Sequence, residues 1–234
     1  MADPVVIVPA AGQGKRMGGD ANKPYLLLGK RPVLAHTLEV FTDLGLFSRI
    51  IPVIAPGEEE YFRDLILLPY FSEVKELFFP VTGGRTRQDS VFNALTFLRG
   101  KGITGETIIC IHDGARPLVS GSLVRSALLA AGELGAALVG VAPKDTVKRI
   151  DEAGFVQDTP PREHLLLAQT PQCFRFSIIW GAHLKARGDG FAGSDDAVLV
   201  ERMGMPVKVV PGDYSNIKLT TPHDLEIARV LYPF

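Results

Sequence analysis

The chain has 234 residues, 46% hydrophobic and 22% charged, with a formal net charge of −1. That length and composition suit one globular domain, or one domain with an appendage, whose core needs no disulfide staples. A net charge near zero excludes a global field that would draw the protein to nucleic acid or an anionic membrane, so any anion site must be a local cluster of cations.

The N-terminal residues enter a strand at once, VVIVPA over 5–10, without the basic and apolar regions of a signal peptide. No run reaches the ~18 apolar residues of a membrane span, so a soluble, cytoplasmic protein is expected. The following loop, AAGQGKRMGGDANK, combines glycines with the cations Lys15, Arg16 and Lys23. It fits neither common phosphate motif. The dinucleotide fingerprint needs a third glycine where Met17 stands, and the ATPase loop needs Ser or Thr where Arg16 stands. The physics of such a loop is still that of a phosphate site. Gly12 and Gly14 allow close backbone approach, amides surround phosphate oxygens, Arg16 offers a fork of donors and Lys23 a mobile charge. A tight surface turn with solvated cations is the alternative.

Beyond the loop, β-like runs alternate with helical periodicity. VLAHTLEVFTDL (33–44) reads as a helix, IIPVIAP (50–56) as a strand, EEEYFRDLILL (58–68) as a helix and VKELFFPVT (74–82) as a strand. RQDSVFNALTFLR (87–99) and SGSLVRSALLAAGELG (120–135) read as helices around the strand ETIICIHD (106–113). AALVGVAP is the next strand. Near-continuous apolar strands in β-α-β-α order predict a Rossmann-like α/β fold. Its sheet is mostly parallel and covered by helices on both faces. The rhythm changes after Pro143. Two β-like runs around Glu152, Ala153 and Gly154 predict a protruding β-hairpin arm over about 144–171, followed by a polar crossing. FSIIWGAHLKARG and SDDAVLVERMG read as helices and PVKVVPG as a strand. The last helix, TPHDLEIARVLY, is expected to be capped by Thr221 with Pro222 at its first position. Cys110 and Cys173 sit in apolar runs and are expected to be buried thiols. The whole chain, 1–234, reads as one domain carrying an arm.

Several segments carry a resemblance. PAAGQGKRMG with NKPYLLLGK is similar to the signature of sugar and alditol phosphate nucleotidyltransferases. GGRTRQDSV, HDGARP, DTVKR, TPQCF and NIKLTTPHDL, in that order along the chain, narrow it: the chain resembles the 2-C-methyl-D-erythritol 4-phosphate cytidylyltransferases. The resemblance implies transfer of CMP from CTP to methylerythritol phosphate, with Mg²⁺, in non-mevalonate isoprenoid synthesis. Two other readings share the motifs: a ribitol 5-phosphate cytidylyltransferase and a non-catalytic CTP-binding sensor.

By that resemblance, Arg16, Lys23 and Lys218 stabilise the reacting phosphates. Ala10, Ala11, Gly12, Gly14, Gly84, Arg85, Ser90, Asp113 and Gly114 hold the nucleotide. Many relatives have Asp where Arg85 stands and Ala where Gly114 stands. Asp113, at the end of an apolar strand, is either a Mg²⁺ ligand or a turn aspartate. Asp113, Arg116, Thr146, Arg162, Thr170, Ser194 and Lys218 are expected around the methylerythritol phosphate. Ser194 with Asp195 is equally readable as a helix cap. The family's arm crosses to a second subunit, which implies a two-fold homodimer with Arg162 and Thr170 completing the neighbour's site.

Overall fold

A computed structural model describes residues 3–12 and 23–231. The first strand, β1 (Val5–Pro9), is buried over four of its five residues. A short ribbon of β2 (Leu27–Leu28) and β3 (Arg31–Pro32) leads into α1 (Val33–Leu44), which has the bounds its periodicity predicts. After β4 (Arg49–Ile54) comes a helical passage: α2 (Glu59–Phe62), a π turn over Arg63–Leu67, and α3 (Leu68–Phe71). The strand expected over 74–82 shrinks to β5 (Val81–Thr82). Its first half is a 3-10 turn, Ser72–Leu77, from which Val74 and Leu77 pack on the core. The backbone leaves the helical region at Val74, with φ −125° and ψ 22°, so the segment is two short turns joined by a kink.

α4 (Arg87–Gly100), β6 (Ile108–Ile111), α5 (Gly121–Leu134) and β7 (Ala136–Val141) follow the sequence pattern. Thr86 and Ser120 cap α4 and α5 by accepting the Asp89 and Leu123 amides. The arm is a hairpin of β8 (Arg149–Ile150) and β9 (Val156–Asp158), its turn closed by Asp151 Oδ1, which accepts from the Ala153 and Phe155 amides.

The polar crossing is where the sequence reading needs correction. It is β10 (Leu167–Arg175), a nine-residue strand antiparallel to both β6 and β7. Register shifts between Ala168 and Gln172, around Pro171, which suits a residue without an amide proton. α6 (Phe176–Gly188), α7 (Ala197–Glu201), β11 (Lys208–Pro211) and α8 (Pro222–Leu231) complete the chain. Thr221 Oγ1 accepts the Asp224 amide at 3.3 Å, as a cap of α8 should.

Among the described residues the main sheet has the order β11-β7-β10-β6-β1-β4-β5, parallel except for β10. Successive side chains alternate between faces. Val6, Val8 and Cys110 pack with α1 and α5 on one side. Val5, Ile7 and Ile109 pack with α4, α6 and α7 on the other. Cys110 and Cys173 face each other across β6 and β10 as buried free thiols. No described helix is long and apolar enough to cross a membrane.

Candidate active site

Strand order reverses at β1: β4 lies on one side of it and β6 on the other. Open α/β sheets bind ligands at the carboxyl ends of strands beside such a reversal. Here those ends frame a cleft of about 810 Å³. Its walls are largely backbone and small side chains: Ala10, Ala11 and Gly12 after β1, Ala55 and Pro56 after β4, and residues 83–87 after β5. Ser90, Asp113 and Lys218 supply polar groups. Gly14 and Arg16 lie outside the described residues, as does the side chain of Lys23. The backbone of Lys23 opens a 3-10 turn, Lys23–Tyr25, whose Pro24 lines the cleft.

Hydrogen bonds and a glycine hold the walls together. The Ala10 amide donates to the Val53 carbonyl and the Gly83 amide to the Ile54 carbonyl, both at 2.7 Å. A Cβ at Gly83 would lie 2.5 Å from Cβ of Ala11, so only glycine lets the two loops meet. Ser90 Oγ accepts the Gly84 amide at 3.1 Å and donates to the Thr86 carbonyl at 2.9 Å. Ser90 and Gly84 therefore shape the turn that enters α4. Gly114 is buried behind the cleft, its amide donating to the Pro9 carbonyl at 3.1 Å.

Asp113 is the electrostatic centre. Its Oδ1 accepts from Arg87 Nε at 3.1 Å, and its Oδ2 lies 2.8 Å from Lys218 Nζ. Arg116 Nε stands 3.7 Å from Oδ2, an ion pair too long for a hydrogen bond. Burial alone would raise the Asp113 pKa, but Arg87, then Lys218 and Arg116, hold its carboxyl well below the usual carboxylate range. Arg116 also donates from Nη1 to the Asn216 carbonyl at 2.6 Å, tying β6 to the loop that carries Lys218. The Asp113 side chain is 10% exposed and that of Lys218 40%, so the lysine is the partner with room to move.

Backbone and ring contacts fix the Asp113 loop. The Asp113 amide donates to Thr170 Oγ1 at 3.1 Å, and Thr170 Oγ1 lies 3.0 Å from His112 Nδ1. His112 Nε2 is 3.0 Å from the Arg116 carbonyl, which can only accept, so Nε2 carries the proton and Nδ1 accepts from Thr170. Burial pushes the His112 pKa down to about 4, against the opposing pull of the Arg116 carbonyl. The imidazole is a neutral structural link.

Thr170 thus departs from its expected place. It is buried in β10 within its own subunit's sheet, because the return of the arm enters that strand at Leu167 and is buried from Gln169 onward. Thr146 and Arg162 are exposed on the segment between β7 and β10, outside the cleft walls, with Arg162 Nη1 donating to the Lys144 carbonyl at 2.8 Å. Ser194 is exposed too. Asp196 holds the N-cap position of α7, and the side-chain bond there comes from Asp195, whose Oδ1 accepts the Val198 amide at 3.0 Å.

Sequence reading missed one layer. Asp196, fully buried, accepts Arg87 Nη1 at 2.7 Å and lies 3.3 Å from His183 Nε2. Burial raises the Asp196 pKa, while Arg87 and then His183 lower it, and the net shift is downward. Gln172 of β10 accepts the Asp196 and Ala197 amides at 3.2 and 3.1 Å. The only available signal was the run of polar residues in AQTPQ, which are unusual in a core strand.

The donor set sets limits on a metal. Among the described residues no group of three or more His, Cys, Asp or Glu is placed to hold one. Asp113 is the only carboxylate among the described cleft-lining residues, and it is ionised. One carboxylate does not make a resident cage. It does fit Mg²⁺, which binds through one or two carboxylates together with substrate phosphates and retained waters.

Comparison with known proteins agrees with this picture. The family model described as 2-C-methyl-D-erythritol 4-phosphate cytidylyltransferase matches residues 4–232. The enzyme of that name from Geotalea uraniireducens (strain Rf4) is 48% identical over 225 residues, covering 95% of this chain and 94% of the relative. The crystal structure of the Francisella tularensis 2-C-methyl-D-erythritol 4-phosphate cytidylyltransferase superimposes with a TM-score of 0.83 at 29% identity, covering 99% of this chain and 100% of that one. A 4-diphosphocytidyl-2C-methyl-D-erythritol synthase structure from Anaerococcus prevotii DSM 20548 gives 0.82 at 33% identity, covering 97% and 94%.

Proposed function

The chain belongs to the 2-C-methyl-D-erythritol 4-phosphate cytidylyltransferase family, and from that premise we propose how its own residues carry out the family's reaction. The enzyme transfers CMP from CTP to methylerythritol phosphate in the non-mevalonate isoprenoid pathway. A phosphate oxygen of the acceptor bonds to the α-phosphorus, the bond from that phosphorus to the bridging oxygen breaks, and pyrophosphate leaves with the electron pair. The nucleophile is already an anion near neutral pH, so no side-chain base is required. The task is to bring two polyanions together in line and to stabilise the charge that develops.

The observation that carries the reading is Asp113 with Lys218, Arg87 and Arg116 gathered at the wall of a backbone-lined cleft. CTP lies across the loops after β1 and β5, with Ala10, Ala11, Gly12, Gly14, Gly84, Arg85 and Ser90 around it and Gly114 supporting from behind. Lys218 leaves Asp113 for the α-phosphate, where Arg16 and Lys23 join it. Asp113, once exposed by that exchange, would hold Mg²⁺ directly or through water. Positive charge supplied there by a bound Mg²⁺ would offset the repulsion between the two substrates. Arg116 and Thr170 hold the acceptor side of Asp113 in place, with Ser194 nearby.

The arm extends the site into a dimer. Ile150, Phe155 and Val156 are largely exposed on its hairpin, an apolar surface that a lone subunit would leave wet. Pairing across a two-fold axis covers them and brings Thr146 and Arg162 to the neighbour's acceptor phosphate. Two soluble, multiply charged substrates fit a cytoplasmic enzyme. Lys218→Ala tests the assignment. Pyrophosphate release from CTP and methylerythritol phosphate is expected to fall about 10²–10³-fold, the range for loss of one preorganised charge donor, with much less change in CTP affinity. Retained turnover would remove Lys218 from the reacting centre.

A further inference from the structure

Arg87 lines the cleft, yet it makes two ionic contacts inside the protein. Nε donates to Asp113 Oδ1 at 3.1 Å and Nη1 to Asp196 Oδ2 at 2.7 Å. Asp196 is 1% exposed and held from three directions. Gln172 accepts its backbone amide, His183 Nε2 sits 3.3 Å from its other oxygen, and His183 is itself wholly buried against Phe92. The carboxylate accepts only, so His183 donates from Nε2, which leaves its buried Nδ1 without a hydrogen-bond partner.

This arrangement is costly for stability alone. A buried ion pair gains little over apolar packing of the same volume, and an orphaned ring nitrogen adds a further penalty. Arg87 has Asp113 as one carboxylate partner already. Asp196 gives it a second and fixes the guanidinium between two anions. Without Asp196, an arginine fork at the cleft wall is a strong phosphate ligand.

The two oxygens of Asp113 are divided accordingly. Oδ1 belongs to the immobile Arg87, and Oδ2 to the half-exposed Lys218. We infer that Asp196 is a positioning residue for cytidylyl transfer: acting through Arg87, it pins Asp113 by Oδ1, so that Oδ2 holds Lys218 poised at the cleft wall until the α-phosphate draws it away. β10 joins both ends of the chain of contacts, since Thr170 holds the Asp113 amide and Gln172 the Asp196 amide. The inference rests on the placement of Lys218 at the reacting phosphates proposed above.

The test compares Asp196→Asn, Arg87→Lys, the double variant and Lys218→Ala in the full-length enzyme. Folding is checked by circular dichroism, and kcat and KM for CTP are read from pyrophosphate release. Asp196→Asn is expected to lower kcat about tenfold or more, because small misplacements of a reacting group cost that much, while KM for CTP changes less than about twofold. Arg87→Lys keeps the charge but loses the fork and should give the same pattern. The double variant should be no worse than the weaker single, as expected of residues acting as one unit. A folded Asp196→Asn enzyme with kcat within about twofold of the parent, or defects that multiply in the double variant, overturns the inference. If Asp196→Asn does not fold, Arg87→Lys decides: unchanged kcat overturns it. Lys218→Ala separates the two levels. If it retains turnover, the site assignment fails and this inference with it. If it is inactive while Asp196→Asn is normal, only this inference fails.

Discussion

Acid should weaken this protein through His112 before any carboxylate of the site is protonated. The ring is buried, its folded-state pKa lies near 4 against an ordinary 6.5, and both nitrogens are engaged in the neutral form. The charged groups beside it are Asp113, Arg116 and Arg87. A histidine depressed in this way contributes its full stability above the unfolded value and loses it as pH falls toward the folded one. The unfolded chain takes up the proton that the folded chain refuses. Between about pH 7.5 and about pH 5 that linkage amounts to about 2 kcal/mol of lost unfolding free energy. Ordinary carboxylates, with pKa values near ~4, contribute little in that window. Urea unfolding of the parent and of His112→Gln at both pH values reads the effect, because the variant cannot titrate there. The parent should lose about 2 kcal/mol more than the variant. Equal losses would refute the reasoning and with it the neutral link from Arg116 through His112 and Thr170 to Asp113.

Two glycine substitutions should differ sharply. Gly83→Ala puts a methyl 2.5 Å from Ala11 Cβ and 3.2 Å from the Ile54 carbonyl oxygen, so it should cost about 1–3 kcal/mol and impair CTP binding in calorimetry. Gly114→Ala meets Leu34 Cδ1 at 3.1 Å, a side-chain end that can yield, and should be far milder in the same assays, although the Pro9 carbonyl oxygen lies at 3.2 Å. Phe155→Asp on the hairpin should shift sedimentation from dimer to monomer and lower turnover, and an unchanged dimer would separate the arm from assembly. Lys23→Ala should depress turnover far more than CTP affinity, read by single-turnover kinetics and titration.

The helices α1, α4 and α5 and the buried strands were legible because apolar spacing and caps are local: Thr86, Ser120 and Gly135 sit beside the ends they close. β10 was not, because Gln169, Thr170, Pro171 and Gln172 interrupt its apolar pattern. Two of them, Thr170 and Gln172, are polar for the site's sake. Thr170 and Gln172 bind the amides of Asp113 and Asp196, partners 57 and 24 residues away that no local pattern reveals. Lys218 and Asp113 were legible as separate motif residues, but their contact required the fold. Arg87 braces both Asp113 and Asp196, and neither contact leaves a periodic or spacing signal in the sequence.

The proposed mechanism depends above all on CTP binding against the loops after β1 and β5 and drawing Lys218 off Asp113. A crystal structure with CTP and Mg²⁺ tests it most directly. The triphosphate should lie in the cleft with Lys218 Nζ at hydrogen-bond distance from a phosphate oxygen, and Asp113 should still be held by Arg87. A nucleotide bound elsewhere, or a triphosphate in the cleft with Lys218 unmoved on Asp113, would contradict it.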